Sequence, residues 1–425
     1  NITVLSPFVG GAFGAALRPT PNTFLSVLAS RELKRSVKVV YSRRQLSTAY
    51  GYRPAAIQNV KLSAEKNGKL TAIIHESFAN TSSFENMNED ISSNSRSLYA
   101  CPNVKTVSRL VKTDLPTPFW MRAPGTVTAM FALESAMDEL AYQLKIDPLE
   151  LRLINYAETD PDNGKPFSSK ELRKCYAEAA KKFGWEKRNP EPRSTRDGNW
   201  LVGWGMATGT WGAYIAPSSA RVTLKTDGTA LVESGTTDIG PGTYTTISII
   251  AAKTFGLPIE KVKFVLGDSN LPPAPVQGGS MTTASVGTAV QECSQILLKK
   301  IFELAKLENV KFEEVKVENG SFVKKDGTKI TFTEILSNNN LQNLSETHTT
   351  NPNYGERGKY STASHGAQFV EVKVDEELGI VKVTRVVELT AAGKIINPKG
   401  AHSQEMGGVV WGIGMALTEE TQVDH

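Results

Sequence analysis

The chain has 425 residues, of which 40% are hydrophobic and 22% charged, with a formal net charge of +4. These values are typical of a folded globular protein with two or more domains. The basic residues are scattered, which gives no electrostatic footprint for nucleic acid, and no apolar run approaches the roughly 20 residues that cross a membrane.

From the N-terminus, hydrophobic periodicity predicts strands that alternate with helices. The predicted strands are 2–5, 37–41, 57–64, 70–78 and 104–112. The predicted helices are 21–35, 127–144, 147–157 and 169–183. Asn67-Gly68 joins two of the strands as a hairpin turn, and the polar residues 82–97 form a loop or a short helix. In the first helix, Phe24, Leu25 and Leu28 share one apolar face with Ala29 and Leu33.

A polar, proline-containing stretch at 190–199 predicts a linker, which divides the chain into domains 1–190 and 200–425. Beyond it, the predicted strands are 200–211, 218–225, 230–234, 315–319, 321–325, 329–333, 366–374 and 380–389. Helices are predicted at 285–307 and 401–419, and the Asn-rich and Thr-rich segment 336–354 is predicted to be an exposed loop. The fold class is therefore α+β, with two or more domains of mixed sheet and helix.

Two glycine-rich turns lie between a strand-like run and a helix-like run, at 238–242 (DIGPG) and 278–285 (GGSMTTAS). Glycine lets the backbone approach a ligand closely, and the first turn of a helix offers unpaired N–H groups to an anion. The pair of turns therefore predicts a large anionic ligand held mostly by backbone amides. Ordinary strand-to-helix turns are the alternative.

Four glycines lie within the last predicted helix: Gly407, Gly408, Gly412 and Gly414. Each costs about 1 kcal/mol relative to alanine in a helix, so we expect close packing there against another helix or a cofactor.

The metal-binding residue types are dispersed. Cys101, Cys175 and Cys293 have no CxxC spacing, and the five histidines form no HxxxH pair, so no metal held by protein ligands is predicted. Buried free thiols are the simpler interpretation.

The chain begins at Asn1 close to a predicted strand and stops at 422–425, where another strand-like segment starts. We therefore expect an internal fragment of a longer protein, truncated at its C-terminus. The compartment stays open between cytoplasm and periplasm.

Five motifs occur together in one order: GGAFG at 10–14, MRAPG at 121–125 followed by AMFALESAMDELA, DIGPG at 238–242, GGSMTTASVGTAV at 278–290, and INPKGAHSQEMGGVVWGIGMALTEE at 396–420. In this order they resemble the molybdenum-cofactor-binding large subunit of the xanthine dehydrogenase and aldehyde oxidase family. GWEKRNPEPRSTRDGNWLVGWGMA at 184–207 resembles the bacterial periplasmic aldehyde oxidoreductase branch most. The resemblance covers essentially the whole chain and implies the fold of these large subunits.

The resemblance also implies a cofactor and the residues that bind it. The cofactor is a molybdopterin, as its cytosine dinucleotide, which itself holds the molybdenum. The cofactor-binding positions that match the family are Gly11, Phe13, Gly14, Arg122, Asp238, Gly240, Gly242, Thr283, Ala284, Ser285, Thr288 and Gln404. Asp238 departs from the family's usual glutamine, and Met406 stands where glutamate is common.

The same resemblance implies oxidation of an aldehyde to a carboxylic acid, with water as the oxygen source. Electrons then pass to [2Fe-2S] clusters and FAD on partner subunits. Arg53, in Gly51-Tyr-Arg-Pro54, matches a pocket arginine that orients the substrate, and a surface arginine is the alternative. Leu17 stands where purine-oxidising relatives carry a glutamate, which favours aldehydes.

Three functional alternatives stay open at this point. In the first, the substrate is an aromatic N-heterocycle of the isoquinoline type instead of an aldehyde, and in the second it is a purine. Alternatively, the chain is a non-catalytic fragment: the family's base glutamate lies in a Gly-x-Gly-Glu segment that this sequence does not contain. We therefore assign no catalytic base and expect the isolated chain to be inactive.

Overall fold

The computed structural model describes residues 2–308, 310–420 and 422. The chain divides into two compact units, each assembled from three segments. Unit 1 consists of Asn1–Ala12, Tyr214–Asn353 and Lys394–Gln404, and unit 2 of Phe13–Ala213, Tyr354–Gly393 and Glu405–His425.

The helices, in chain order, are α1 (Pro21–Leu33), α2 (Arg43–Ala49), α3 (Asn94–Ser97), α4 (Thr126–Leu144), α5 (Pro148–Ile154), α6 (Leu172–Phe183), α7 (Thr243–Phe255), α8 (Thr282–Leu304), α9 (Phe332–Asn338), α10 (Tyr354–Arg357) and α11 (Pro398–Leu417). The strands are β1 (Ala56–Ala64), β2 (Leu70–Ser82), β3 (Val104–Thr113), β4 (Arg196–Asp197), β5 (Trp200–Gly212), β6 (Ser218–Lys225), β7 (Ala230–Glu233), β8 (Val262–Val265), β9 (Lys316–Glu318), β10 (Ser321–Val323), β11 (Lys329–Thr331), β12 (Asn343–Thr350), β13 (Ala363–Asp375) and β14 (Val381–Ala391).

Unit 1 is built around a four-stranded sheet with the order β12-β6-β7-β8. Helices α7 and α8 supply Ile247, Phe255, Val290 and Leu297 to its core, and all four side chains are fully buried. A smaller sheet, β11-β10-β9, adds Phe322 to the same core. The two helices that follow the glycine-rich turns are thus fixed by burial of their apolar faces.

Unit 2 contains two separate sheets. One helix packs on each sheet, and the apolar side chains of that helix form a core with the sheet. The first sheet has the order β1-β2-β3, and α4 packs Leu133, Met137 and Ala141 into its cluster. The second has the order β14-β13-β5-β4, and α6 packs Tyr176 and Phe183 into a cluster with β5 and β13.

A fully buried ion pair joins α4, α5 and β5 in unit 2. The Nε of Arg152 donates to Oε2 of Glu134 at 2.9 Å, and its Nη1 donates to Oδ1 of Asp138 at 2.8 Å. The same Glu134 oxygen accepts the backbone N–H of Thr208 at 2.7 Å, and the Tyr99 hydroxyl donates to the other. Because every polar group of this cluster is paired, it links three elements that are distant in sequence.

Most predicted elements are confirmed within a few residues, including the 57–64/70–78 hairpin, the helix at 127–144 and the helix that Asp147 caps. The Asp147 carboxylate accepts the backbone N–H groups of Leu149 and Glu150, as expected for an N-cap residue. The α+β fold class is also confirmed, since helices and mostly antiparallel sheets coexist in both units.

Three predictions about local structure are wrong. Residues 37–41 form no strand, and the strand predicted at 2–5 is reduced to one bridge between Leu5 and Asp268. Within 336–354, predicted as a loop, β12 instead pairs with β6 along its whole length, because an edge strand tolerates polar residues and threonine suits extended backbone. The helix predicted near the N-terminus is confirmed as α1, and its apolar face is exposed, with Phe24 at 59%.

The predicted domains 1–190 and 200–425 follow the order of the chain, whereas the compact units do not. Strand β5 pairs with β13 from Ala363 to Asp375, which brings the segment after residue 200 into unit 2. The linear division stays a prediction. The strand-like segment predicted at 422–425 lies, apart from residue 422, outside the described residues.

Cys175 and Cys293 are buried free thiols, as predicted, whereas Cys101 is half-buried. In the described part of the chain, no three His, Cys, Asp or Glu side chains are grouped to hold a metal ion. Nor does any described helix have the length and apolar character to cross a membrane.

Candidate functional site

The predicted site residues fall in both units. Unit 1 contains Gly11, Asp238, Gly240, Gly242, Thr283, Ala284, Ser285, Thr288 and Gln404, and unit 2 contains Phe13, Gly14, Arg53 and Arg122.

In unit 1, the turn 238–242 precedes α7 and needs its glycines for backbone conformation. Gly240 and Gly242 have φ angles of 111° and 85°, and no atom lies within 4 Å of the position where either would carry a Cβ. The Asp238 carboxylate accepts the backbone N–H of Gly240 at 2.9 Å and that of Tyr244 at 3.3 Å. An aspartate therefore already provides the negative charge at the start of α7, which disfavours a phosphate at the same place.

The first turn of α8 follows the second glycine-rich turn of unit 1. Gly279 and Ser280 both have positive φ angles, 63° and 61°, and lead the chain into the helix. Thr283 and Ala284 are exposed in the first turn. The N–H groups of residues 282–284 have no partner within the helix, since the first turn of any α-helix leaves these donors unpaired. Met281, the residue before this helix, makes no capping bond with its side chain, whereas at the start of α7 Asp238 accepts the Tyr244 N–H.

Two other predicted residues of α8 already use their hydroxyl groups within the protein. Ser285 is fully buried: its Oγ donates to the Met281 carbonyl at 2.8 Å and accepts the Ala216 N–H at 3.0 Å. The Thr288 Oγ1 donates to the Ala284 carbonyl at 2.5 Å. A direct contact of either residue with a ligand stays a prediction. Ser285 in particular fixes the preceding loop through its own bonds.

The remaining unit 1 residues are Gly11 and Gln404, and both are exposed. Gly11 has a φ of 107°, which only glycine adopts without strain. Gln404 lies on α11, beyond the Asn397 side chain, whose Oδ1 accepts the Gly400 N–H at 3.1 Å at the start of that helix.

In unit 2, Phe13 and Gly14 form a tight turn. Phe13 has a φ of 51°, and its ring lies 4.9 Å from the ring of Trp411 while remaining 54% exposed. A Cβ on Gly14 would lie 1.8 Å from the carbonyl oxygen of Trp120, so only glycine fits there. The indole N–H of Trp411 is buried and has no partner among the described residues.

Arg53 is held close to the 121–125 loop. The Phe119 N–H donates to the Tyr52 carbonyl at 2.9 Å, which fixes the backbone next to Arg53, and the Nη2 of Arg53 donates to the Arg122 carbonyl at 2.9 Å. Its Nε and Nη1 are inaccessible to solvent and have no partner within the described part of the chain. Burial lowers the pKa of Arg53, while Glu89 and Glu419 act in the opposite direction. Arg53 is thus half-buried, and its role in orienting the substrate stays a prediction.

The guanidinium of Arg122 lies against the glycines of α11. A Cβ on Gly407 would be 3.3 Å from its Nη1, and a Cβ on Gly408 would be 3.6 Å from its Nη2. Two of the four helix glycines thus make room for an arginine side chain, whereas the sequence predicted a helix or a cofactor there.

Two acidic sites in unit 2, one a single glutamate and the other a pair, could not be recognised from the sequence. The first is Glu89, 4% exposed, whose Oε2 accepts the Gly125 N–H at 2.8 Å while its Oε1 is buried without a described partner. The second joins Glu388 of β14 to Glu405 of α11, where Thr390 donates to Glu388 at 3.5 Å and to Glu405 at 3.4 Å. No local motif marks either site, because the partners are distant in sequence.

The Glu388 carboxyl supports a pH prediction. Burial and the hydrogen bond and charge of Glu405 raise its pKa from 4.5 to about 7. The folded state therefore binds a proton more tightly than the unfolded state, and this contribution to stability is lost as pH rises through 7. The difference in free energy of unfolding between Glu388→Gln and wild type should therefore shift in favour of the variant from pH 5 to pH 8. After solvent screening, we expect this shift to be on the order of 1 kcal/mol. Urea unfolding at both pH values measures this, with exposed Glu377→Gln as control. A difference that does not change with pH would contradict it.

Comparisons with known proteins decide the family. Two models described as molybdopterin cofactor-binding domains match residues 1–156 and 178–425. The chain belongs to the molybdopterin cofactor-binding domain family. This confirms the family resemblance to the molybdenum-cofactor-binding subunits of xanthine dehydrogenase and aldehyde oxidase.

Two relatives of this molybdopterin-binding chain come from Escherichia coli (strain K12). The aldehyde oxidoreductase molybdenum-binding subunit PaoC is 37% identical, and the match covers 100% of this chain and 57% of PaoC. The putative xanthine dehydrogenase molybdenum-binding subunit XdhA is 30% identical over 100% of this chain and 58% of XdhA. The chain thus spans a little over half the length of these relatives.

Solved structures of molybdopterin-family enzymes share the fold. Quinoline 2-oxidoreductase from Pseudomonas putida 86 matches with a TM-score of 0.85 at 20% identity, covering 96% of this chain and 56% of that chain. The aldehyde oxidoreductase from Desulfovibrio gigas matches with a TM-score of 0.80 at 24% identity, covering 98% of this chain and 46% of that chain. At these identities the likeness concerns the fold alone.

The residues present fit an acceptor-rich cofactor. In unit 1, the uncapped start of α8 offers backbone donors suited to a phosphate group. In unit 2, the unpaired Nε and Nη1 of Arg53 and the indole N–H of Trp411 are donors that a pterin or a substrate oxygen would satisfy. The assignment of individual contacts, and the absence of the base glutamate, stay predictions.

Proposed function

We propose that this chain is the molybdopterin-binding part of a molybdenum hydroxylase subunit that oxidises aldehydes to carboxylic acids. Water supplies the oxygen, and each turnover releases two electrons and two protons: RCHO + H₂O → RCOOH + 2e⁻ + 2H⁺. When bound, the cofactor supplies the two-electron redox centre. Its form is the cytosine dinucleotide, and the electrons leave to an iron–sulfur subunit and an FAD subunit.

One observation carries the substrate class: two buried nitrogens of Arg53, Nε and Nη1, have no acceptor among the described residues. An aldehyde carbonyl is such an acceptor, and a fixed donor aimed at it stabilises the negative charge that develops on its oxygen. The 37% identity to an aldehyde oxidoreductase molybdenum-binding subunit supports the same class. Leu17, half-buried in the turn after Gly14, offers no hydrogen bond to a purine ring.

For the cofactor, we propose that the first turn of α8 receives the pyrophosphate. Thr283 and Ala284 lie at that exposed turn, whereas Asp238 makes the start of α7 the less suitable place. Ser285 then acts by holding the Ala216 backbone in position. Gly11, Phe13, Gly14, Arg122, Gly240, Gly242, Thr288 and Gln404 complete the proposed cofactor contacts.

Substrate screening of the full-length protein tests the reaction. We expect turnover of benzaldehyde with an artificial electron acceptor to exceed that of quinoline, isoquinoline and hypoxanthine. Arg53→Ala should lower kcat/KM for benzaldehyde by roughly a hundredfold. The control Arg35→Ala, at an exposed position, should leave kcat/KM unchanged. Preferred oxidation of a heterocycle would replace this proposal by the N-heterocycle alternative. That alternative has the fold match to quinoline 2-oxidoreductase in its favour, but this match does not separate substrates.

The packing of Arg122 leads to a prediction in which stability and cofactor retention separate. Gly407→Ala improves helix propensity by about 1 kcal/mol but moves the Arg122 guanidinium, because the new Cβ would lie 3.3 Å from Nη1. We expect an equal or higher thermal midpoint together with a lower molybdenum content. Gly412→Ala is the matched control, since a Cβ there meets nothing within 4 Å. Equal molybdenum content in both variants would exclude the proposed role of Arg122.

A further inference from the structure

Residues 122–125 form a short loop that leads into α4, and two charged side chains, the half-buried Arg53 and the buried Glu89, hold it from opposite ends. Arg53 donates to the carbonyl of Arg122 at 2.9 Å, and the N–H of Gly125 donates to Glu89 at 2.8 Å. Between these two points, Ala123 has a φ of 55°, and Gly125 itself has a φ of 68°. Left-handed backbone at a residue such as Ala123 persists only where the surroundings hold it.

The contact between Glu89 and the loop is close. A Cβ on Gly125 would lie 3.2 Å from the Asp90 carbonyl oxygen and 3.4 Å from the Glu89 Cβ. The Gly125 carbonyl then accepts the Ala129 N–H at 2.9 Å, and this hydrogen bond belongs to the first turn of α4. The backbone around Glu89 therefore sets where the loop ends and the helix begins.

Glu89 and Arg53 also depend on each other electrostatically. A carboxylate that is 4% exposed is costly to keep charged unless an opposite charge lies near it. Burial raises the pKa of Glu89, and the Gly125 N–H and the charge of Arg53 both oppose that rise, while burial lowers the pKa of Arg53 and the charge of Glu89 opposes it. Both nevertheless keep buried atoms that have no partner among the described residues, Oε1 on Glu89 and Nε and Nη1 on Arg53. The charges thus compensate each other without using up the donors of Arg53.

We infer that Glu89 is a positioning residue for the substrate pocket. Its negative charge stabilises the partly buried Arg53 guanidinium beside the loop while leaving two of the arginine's nitrogens for a substrate oxygen, and its bond to Gly125 fixes the loop that bears Arg122. This inference rests on the proposed role of Arg53.

Two substitutions separate the charge from the hydrogen bond. Glu89→Gln keeps an oxygen that accepts the Gly125 N–H and removes only the charge, whereas Glu89→Ala removes both. Glu139→Gln, at an exposed position on α4, removes the same charge without touching the loop and serves as the control.

The first readout is backbone hydrogen exchange over residues 119–127, measured without cofactor or substrate. We expect faster exchange in Glu89→Ala and wild-type exchange in Glu89→Gln and Glu139→Gln. Unchanged exchange in Glu89→Ala would overturn the claim that Glu89 fixes the loop.

The second readout is steady-state kinetics of the full-length enzyme with benzaldehyde. We expect Glu89→Gln to lower kcat/KM about tenfold, the size of effect seen when a group that orients a functional residue is lost, and Glu139→Gln to behave as wild type. If Arg53→Ala lowers kcat/KM and Glu89→Gln does not, this inference is wrong and the proposed function survives. If Arg53→Ala has no effect, the proposed role of Arg53 is wrong, and this inference is wrong with it.

Discussion

Replacing Arg152 with methionine is expected to destabilise the protein by about 3–5 kcal/mol, because it leaves the buried Glu134 carboxylate without its counter-charge. Arg152 has no exposed surface and bonds the side chains of Glu134 and Asp138 as well as the Pro148 carbonyl at 3.0 Å. Methionine fills a similar volume, so the loss reflects charge and hydrogen bonding more than packing.

Urea unfolding followed by tryptophan fluorescence measures this loss. Arg31→Met is the matched control, since the Arg31–Glu32 pair is 70% and 73% exposed and such pairs contribute about 0–1 kcal/mol. The double variant Glu134→Gln with Arg152→Met should recover part of the stability, because no buried charge is then left unpaired at residue 134. A loss at Arg152 no larger than that at Arg31 would show that the buried cluster is not the link we describe.

Gly14→Ala is the second large effect, with an expected destabilisation of about 3 kcal/mol or more. The added Cβ would lie 1.8 Å from the Trp120 carbonyl oxygen and 2.8 Å from its carbon, and Gly14 also has a φ of 109°. Because the opposing atoms belong to backbone, they move only if residues 120–121 shift with them.

The same motif provides the control for Gly14. A Cβ on Gly10 meets nothing within 4 Å, so Gly10→Ala should change the free energy of unfolding by less than about 0.5 kcal/mol. Urea unfolding of the two variants tests the contrast. Equal stability of Gly14→Ala and Gly10→Ala would mean that the approach of Gly14 to Trp120 is wrong.

The sequence predicted the elements well where local signals are strong. Alternating apolar residues and Asn67-Gly68 predict the β1–β2 hairpin, and Asp147-Pro148 predicts the start of α5. It failed at β12, whose polar and threonine-rich side chains carry no apolar alternation, since pairing with β6 stabilises that strand. Periodicity also showed that one face of α1 is apolar but could not show that this face is exposed.

The candidate site was predictable only in part for the same physical reason. Glycine motifs located both turns and the loop at 121–125, and the positive φ angles at Gly240, Gly242 and Gly125 explain why glycine stands there. The sequence could not show that Asp238 already bonds the backbone amides at the start of α7, nor that Ser285 is buried. Glu89 and the Glu388–Glu405 pair were invisible, because their partners are brought together only by the tertiary fold.

The central claim is that this chain binds a molybdopterin cofactor, and cofactor analysis of the full-length protein tests it most directly. The protein should be purified from cells that produce the cytosine dinucleotide form and assayed for molybdenum, for the fluorescent oxidised pterin and for CMP released by acid hydrolysis. We predict stoichiometric amounts of all three. A folded protein that carries neither molybdenum nor pterin, from cells in which another molybdenum hydroxylase is fully loaded, would contradict the account.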